Sequence, residues 1–369
     1  MTSEEASPAT VARVLLENSV KLRRGENLIV ETWNHTLPWA TACVVEARRI
    51  GAHPVLLLED EVAYWRSIEV APVVARWSGV GDHEWSAIEK SDAYVFFPGP
   101  ADRPRFLALP SSQVSKLTAY NPTWYRHAKK AQLRGVRCLL GYASDAEAAH
   151  WGVSPAMWRS QLVRGIVEPD YRALEKEGEG VAKRLERGKS LRITAANGTD
   201  LTVGIKHRRP SVEDGSVGTR DLRRGDNMTA SPPGSVIVAV DERSAEGTAV
   251  ANRPSFLRAG RVEGGQWDLL GGRLQNYWYT EGHTSFDEEF GHAPKGRDVL
   301  SVFSLGLNSS LAPGVPRAED QEAGAVTLAV GGNSAYGGTN SCPFLSWIVI
   351  GEASVAIDGE PLCDRGKIV

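Results

Sequence analysis

Cysteine is scarce in this chain. Its 369 residues include four, Cys43, Cys138, Cys342 and Cys363, and no two stand at CxxC spacing. That spacing argues against a thiolate zinc site and against the disulfide framework of a small secreted domain, and it leads to the expectation of a reducing, cytoplasmic compartment. Long apolar runs are missing as well. No stretch approaches the roughly 20 apolar residues of a membrane span, and the opening MTSEEASPAT has two glutamates and none of the apolar core of a leader. Basic runs are absent and the formal net charge is -3. Without a dense cationic surface a phosphate backbone cannot be neutralised, so nucleic acid is not an expected partner. The first half has no GxGxxG after a strand, so a dinucleotide reading lacks its phosphate cradle. Histidine is thin where a metal site would need it, since residues 188–369 contain only His207, His283 and His292.

What is present is an ordinary globular balance, 42% hydrophobic and 24% charged, over a length sufficient for two cores. From Val11 to about Tyr142 amphipathic stretches alternate with short apolar runs: VARVLLENSVKL then NLIVET, PWATACVVEARRIGA then HPVLLLED, later AYVFFPG and VRCLLGY. Helices alternating with buried strands predict a parallel, Rossmann-like α/β sheet, with a turn at Gly25 and a helix C-cap at Gly51. Beyond the charged stretch YRALEKEGEGVAKRLERGKS the pattern changes. Asn197-Gly198 sits between two alternating runs as a hairpin turn does, and short strands follow in VIVAVDE, GTAVANR, AVTLAVGG and SWIVIGEASVAIDG. A helix is expected over about Gly271–Phe290. These patterns predict a Rossmann-like α/β domain over 1–187 and a mixed, mainly antiparallel α+β domain over 188–369.

Chemistry-bearing residues are few. In GHTSFDEEFGH, His283 and Asp287 share a helix face, as do Glu288 and His292, but the nine residues between the histidines turn them to opposite sides. A solvated acidic helix is the commoner meaning of such a segment. Cys342 lies in the glycine-rich stretch GGTNSCPFLSW, with nothing nearby in sequence to lower its pKa. The aromatic run QNYWYTEGH, including Trp278, could form a stacking wall with Trp267, or simply fill a core. Asn227, Asn308, Asn333 and Asn340 each stand beside a glycine, a small residue or a turn; such amides orient ligands or, more often, cap loops.

The order of these pieces resembles the aminopeptidase T family of metallopeptidases and its relative, 2,5-dihydroxypyridine 5,6-dioxygenase. The resemblance runs through LLENSVKLRRGENLIVET and ARRIGAHPVLLLEDE, then GTDLTV and NMTASPPGSVIVA, and finally LGLN, LAVGGN and GGTN through VAIDG. It implies a metal site, and this chain departs from it at each ligand position. Ser235 stands where the resemblance implies a glutamate. VLSVFS, from Val299 to Ser304, contains no carboxylate, Thr327 falls where a histidine is implied, and Pro343 to Trp347 replace a His-x-Asp pair. Metal affinity is assembled from several deprotonated ligands converging on one point, so the expectation is a chain with no metal and no cofactor.

The leading expectation is therefore a pseudoenzyme that holds a peptide or peptide-like small molecule, with a partner enzyme acting on it in a biosynthetic peptide-modification pathway. Its candidate contacts are Asn227, Ser235, Trp278, His283, Asn308, Asn333, Tyr336, Asn340, Cys342 and Phe344. The alternatives are a hydrolase, lyase or dioxygenase-like enzyme that reuses the cleft through Tyr336, Cys342 or His283, or through a metal relocated to His283, Asp287 and Glu288, and a purely structural partner subunit. A homodimer is implied by the resemblance alone.

Overall fold

The computed structural model describes residues 7–70 and 80–369, apart from the side chains of residues 111 and 112. The first six residues of the stretch read for a leader lie outside the described residues. The chain forms two compact units, Met1–Val167 with Gly215–Pro232, and Glu168–Asp214 with Pro233–Val369. Sequence patterning places one cut at residue 187. The structure instead gives the helix Tyr171–Arg187 to the second unit, where it packs on the strands Ser211–Glu213 and Ser235–Ala239, because its apolar stripe of Leu174, Val181 and Leu185 joins that unit's core. The chain then returns once to the first unit.

That return supplies a strand. The first unit is a five-stranded parallel sheet in the order His53–Glu59, Asn27–Trp33, Ala93–Phe96, Arg134–Cys138 and Met228–Ser231, with helices in the connections. Gly25 and Gly51 both have positive φ, +83° and +85°, as the turn and the helix C-cap require. One expectation is corrected: HPVLLLED does not form a buried strand. It is the sheet's edge, paired on one side only, and Val55, Leu56 and Leu58 are exposed.

The second unit contains an eight-stranded and a five-stranded antiparallel sheet around one large apolar core. The hairpin of Ser190–Thr194 with Asp200–Gly204 turns at Asn197-Gly198, where Gly198 takes φ +100°. The predicted helix over Gly271–Phe290 is replaced by a strand, Arg273–Trp278, and a later helix, His283–His292. The reason is local. Gly271 and Gly272 both have positive φ and fold Arg273–Trp278 back on Gln266–Leu270, and a Cβ on Gly272 would lie 2.0 Å from the Glu242 carbonyl oxygen. The five-stranded sheet runs Leu345–Ile350, Val326–Gly331, Leu300–Gly306, Ser235–Ala239 and Ser211–Glu213. Among the described residues no helix is long and apolar enough to cross a membrane.

Candidate functional site

The stretch after Gly331 is tied into a polar knot. Asn333 is buried, and its Nδ2 donates to Glu242 Oε1 at 2.9 Å and to the Ser301 carbonyl at 3.3 Å, while its Oδ1 accepts from Asn340 N at 2.9 Å. Asn340 in turn donates from Nδ2 to the carbonyls of Gly296 at 2.8 Å and Gly331 at 2.7 Å, and accepts from Cys342 N. Glu242 also accepts from Thr339 N at 2.7 Å and pairs with Arg208. Burial alone would raise the Glu242 pKa, but the Thr339 N–H and the Asn333 amide outweigh it and hold the carboxyl at about 2. Small residues are needed because chains approach closely here: a Cβ on Gly338 would sit 2.0 Å from Asn333 Cγ.

The knot borders a cavity of about 400 Å³. Leu274, Gln275 and Tyr277 of the strand Arg273–Trp278 form one side, and Phe290 of the following helix forms another. Tyr277 donates to Asp287 Oδ1 at 2.7 Å, and burial together with this bond pushes its phenol up to about 12. The Phe290 ring meets Tyr277 edge-on at 5.2 Å and Phe344 at 5.9 Å, and it stacks on Phe286 at 5.3 Å. The rim is the loop Lys295–Asp298. Arg297 lies 5.1 Å over the Phe290 ring and donates from Nη1 to the Ala293 carbonyl, while Asp298 pairs with Arg273 at 2.6 Å.

Five of the expected contact residues surround this region. Trp278 is exposed, and the His283 ring lies 4.8 Å from it. Asn340 holds Gly296, Cys342 Sγ lies 3.8 Å from the Pro294 carbonyl, and buried Phe344 backs Phe290. The amide N–H groups of the asparagines, however, donate within the protein. Both N–H groups of Asn333 and of Asn340 are used by the protein. Asn227, in the first unit, donates to the carbonyls of Ala128 and Leu133. Asn308 donates to the Pro233 carbonyl and accepts from Ser310 N. These four residues fix loops. Tyr336 packs instead on the separate apolar cluster of Ile237, Val302 and Ala329, away from this cavity, and Trp267 is fully buried with its Nε1 donating to Tyr279 Oη.

The positions where the resemblance implies metal ligands lie on the five-stranded sheet. Ser304 pairs directly with Thr327 and with Ile237, and Gly306 pairs with Ser235, so register puts Ser235, Ser304 and Thr327 on one face together with Ile237, Val302 and Ala329. All three polar residues are buried. Ser304 Oγ and Thr327 Oγ1 have no hydrogen-bond partner, and Ser235 lies beside the carboxyl of Asp320. Ser346 pairs with Val330 and so faces the other way, its buried hydroxyl likewise unpartnered. Neutral hydroxyls among aliphatic side chains do not form a donor set for a divalent cation, and the residues present do not fit one. His283 Nε2 lies 3.4 Å from Asp287 Oδ2, but Glu288 does not complete a site with them: among the described residues no group of three His, Cys, Asp or Glu could hold a metal ion.

The loop PRAEDQEA escaped the sequence reading. Burial raises Glu319 to about 7 and Asp320 to about 6; Glu319 Oε1 accepts from Phe256 N, and Glu322 pairs with Arg253. Its signal was available, a run of carboxylates between LGLN and LAVGG. Glu242 had no such signal, since it meets Asn333 across 91 positions of sequence.

The chain thus combines a parallel-sheet unit with an antiparallel one, each continued by a second segment of sequence. The chain belongs to the thermophilic metalloprotease (M29) family, which it matches over residues 5–310. It is similar in structure to wild-type AmpT from Thermus thermophilus, with a TM-score of 0.71 and 19% identity over 98% of each chain. It is also similar to 2,5-dihydroxypyridine dioxygenase from Pseudomonas putida KT2440, with a TM-score of 0.64 and 14% identity, over 100% of this chain and 98% of that one. At such identities these likenesses show the fold. A search of the curated proteins finds no significant match.

Proposed function

We propose that this M29 member works without the family's metal, as a peptide-binding pseudoenzyme that holds a peptide or peptide-derived ligand in the second unit. The observation that carries the proposal is the chemistry of the implied ligand positions. Ser304 and Thr327 present buried hydroxyls among aliphatic neighbours, Ser235 presents one beside the single carboxyl of Asp320, and Phe344 belongs to an aromatic cluster. The ligand class is taken from the family, whose description is that of a protease, and an aromatic-walled cavity of about 400 Å³ falls within the usual size of small-ligand sites, roughly 300–1,000 Å³. Dimerisation, action beside a partner enzyme and a cytoplasmic setting belong to the same proposal.

Metal analysis of the protein purified without chelator, combined with calorimetric titration of a peptide library, tests it. Peptide binding that is unchanged by added zinc, manganese or iron is the expected result. A stoichiometric bound metal, or hydrolysis of the peptides with such a metal present, overturns it.

One arrangement favours a second reading, a metal-free acid–base enzyme. Tyr277 donates to Asp287 Oδ1, and Asp287 Oδ2 faces His283, which makes a Tyr–Asp–His chain beside the cavity. Two features count against it. A phenol pushed up to about 12 is a poor base near neutrality, and His283 Nδ1 is enclosed without a partner. Turnover of any library peptide that is lost in His283→Gln would favour this reading over binding alone.

A further inference from the structure

The cavity in the second unit has two kinds of wall. Tyr277, Phe290 and Leu274 give it aromatic and aliphatic surface, whereas Lys295 and Arg297 bring two cations to the same lining. Asp298 does not cancel that charge, because it is already paired with Arg273. Lys295 is exposed and has no carboxylate partner among the described residues. Arg297 is more telling. A guanidinium carries five N–H donors, and its side chain makes one hydrogen bond, from Nη1 to the Ala293 carbonyl. The guanidinium lies 5.1 Å over the Phe290 ring, and no described residue accepts from its remaining donors. A planar fork of this kind matches the two oxygens of a carboxylate.

The loop that carries these cations is held in place. Gly296 adopts φ +96°, its carbonyl accepts from Asn340 Nδ2 at 2.8 Å, and a Cβ on Gly296 would lie 2.7 Å from Asn340 Oδ1. Asn340 is thus a positioning residue: the polar knot sets where Lys295 and Arg297 stand relative to the aromatic wall.

We propose that this cavity is a carboxylate-recognition site, in which Lys295 and Arg297 bind the carboxylate of a peptide while Tyr277 and Phe290 receive the adjoining aromatic or apolar side chain. This rests on the peptide-binding reading above. A volume of about 400 Å³ has room for one or two residues of a peptide. The carboxylate is either the C-terminus or an acidic side chain.

Calorimetry on the full chain separates the possibilities. The probes are tripeptides ending in Phe, Leu or Lys, each as free acid and as C-terminal amide, together with a C-terminal amide ending in Glu. The expected result is tightest binding of the Phe free acid, with a loss of ten-fold or more on amidation. Lys295→Gln and Arg297→Gln should each weaken the free acid several-fold and together bind acid and amide alike. Lys295→Gln keeps the test sound, since an exposed side chain can be replaced without unfolding the loop, and an unchanged Tm confirms this. Binding of the Glu amide as tightly as the free acids supports a carboxylate site that accepts the side-chain source. Equal binding of acid and amide by the unaltered protein overturns the carboxylate inference and leaves the peptide reading standing. Binding of none of the probes overturns both.

Discussion

The knot around Asn333 and the sheet face around Ser304 lie in the same unit and are similarly buried, yet they treat polar groups in opposite ways. Asn333 is 1% exposed and uses both N–H groups and its oxygen; Ser304 is 3% exposed and its hydroxyl has no partner. Burying a polar group is offset only when its hydrogen bonds are made. One region is therefore a built scaffold. The other is a face where Ser304 and Thr327 stand among aliphatic side chains with their hydroxyls unsatisfied by any described residue. The difference separates a turn whose buried amides are satisfied from a sheet face whose buried hydroxyls, among the described residues, are not.

The largest effect should come from breaking the scaffold. Asn333→Ala removes two donors and an acceptor at once, leaving Glu242, the Ser301 carbonyl and the Asn340 N–H to find other partners in a buried setting. A loss of about 3 kcal/mol of stability is expected from groups stranded in this way. Urea unfolding of the variant checks it, and a loss under about 1 kcal/mol would mean that the knot is not what holds the turn.

The same knot can be loosened by acid. The Glu242 carboxyl is held at about 2 against an ordinary 4.5. A group with a depressed folded pKa contributes its stability above the unfolded pKa, so this contribution is complete above about 4.5 and lost as pH falls toward 2. A tenfold change in a protonation constant corresponds to about 1.4 kcal/mol, so the contribution is on the order of 3 kcal/mol. Glu242→Gln should therefore be less stable than the unaltered chain at pH 7, and the gap should narrow steadily between pH 4.5 and 2. A gap of constant size over that window would show that the charge of Glu242 contributes nothing.

Neither the knot nor the sheet face is visible in local sequence. Gly25, Gly51 and Asn197-Gly198 were legible because a turn's backbone conformation is decided by the residues in it. The strand Arg273–Trp278 was not, since QNYWYT has too few polar punctuations to separate a period of 2 from one of 3.6, and two glycines decided the outcome. The exposure of Val55, Leu56 and Leu58 depends on sheet order, which an apolar run cannot declare. For the site, GGTNSCPFLSW was recognisable as a turn, but its partners Glu242, Ser301 and Gly296 are remote in sequence. The roles of Asn333 and Asn340 as scaffold followed only from the fold.

The smallest effect has the opposite sign and tests the sheet face itself. Thr327→Val replaces the buried, unpartnered Oγ1 with a methyl group of similar volume and leaves the backbone pairing with Ser304 and Val349 intact. No hydrogen bond is lost, and the desolvation cost of an unsatisfied hydroxyl, about 1 kcal/mol or somewhat more, is removed. Thr327→Val should raise stability by about 1 kcal/mol, with peptide affinity unchanged, because Thr327 lies on the sheet face and not among the residues lining the cavity. Thr327→His offers the converse. It places an imidazole among the aliphatic side chains of that face, next to Ser304, and should destabilise the fold without creating a zinc site, since Ser235, Ser304 and Phe344 supply no further ligand. Zinc that restored the stability of Thr327→His would show that the face still gathers metal donors, and the contrast between scaffold and face would collapse.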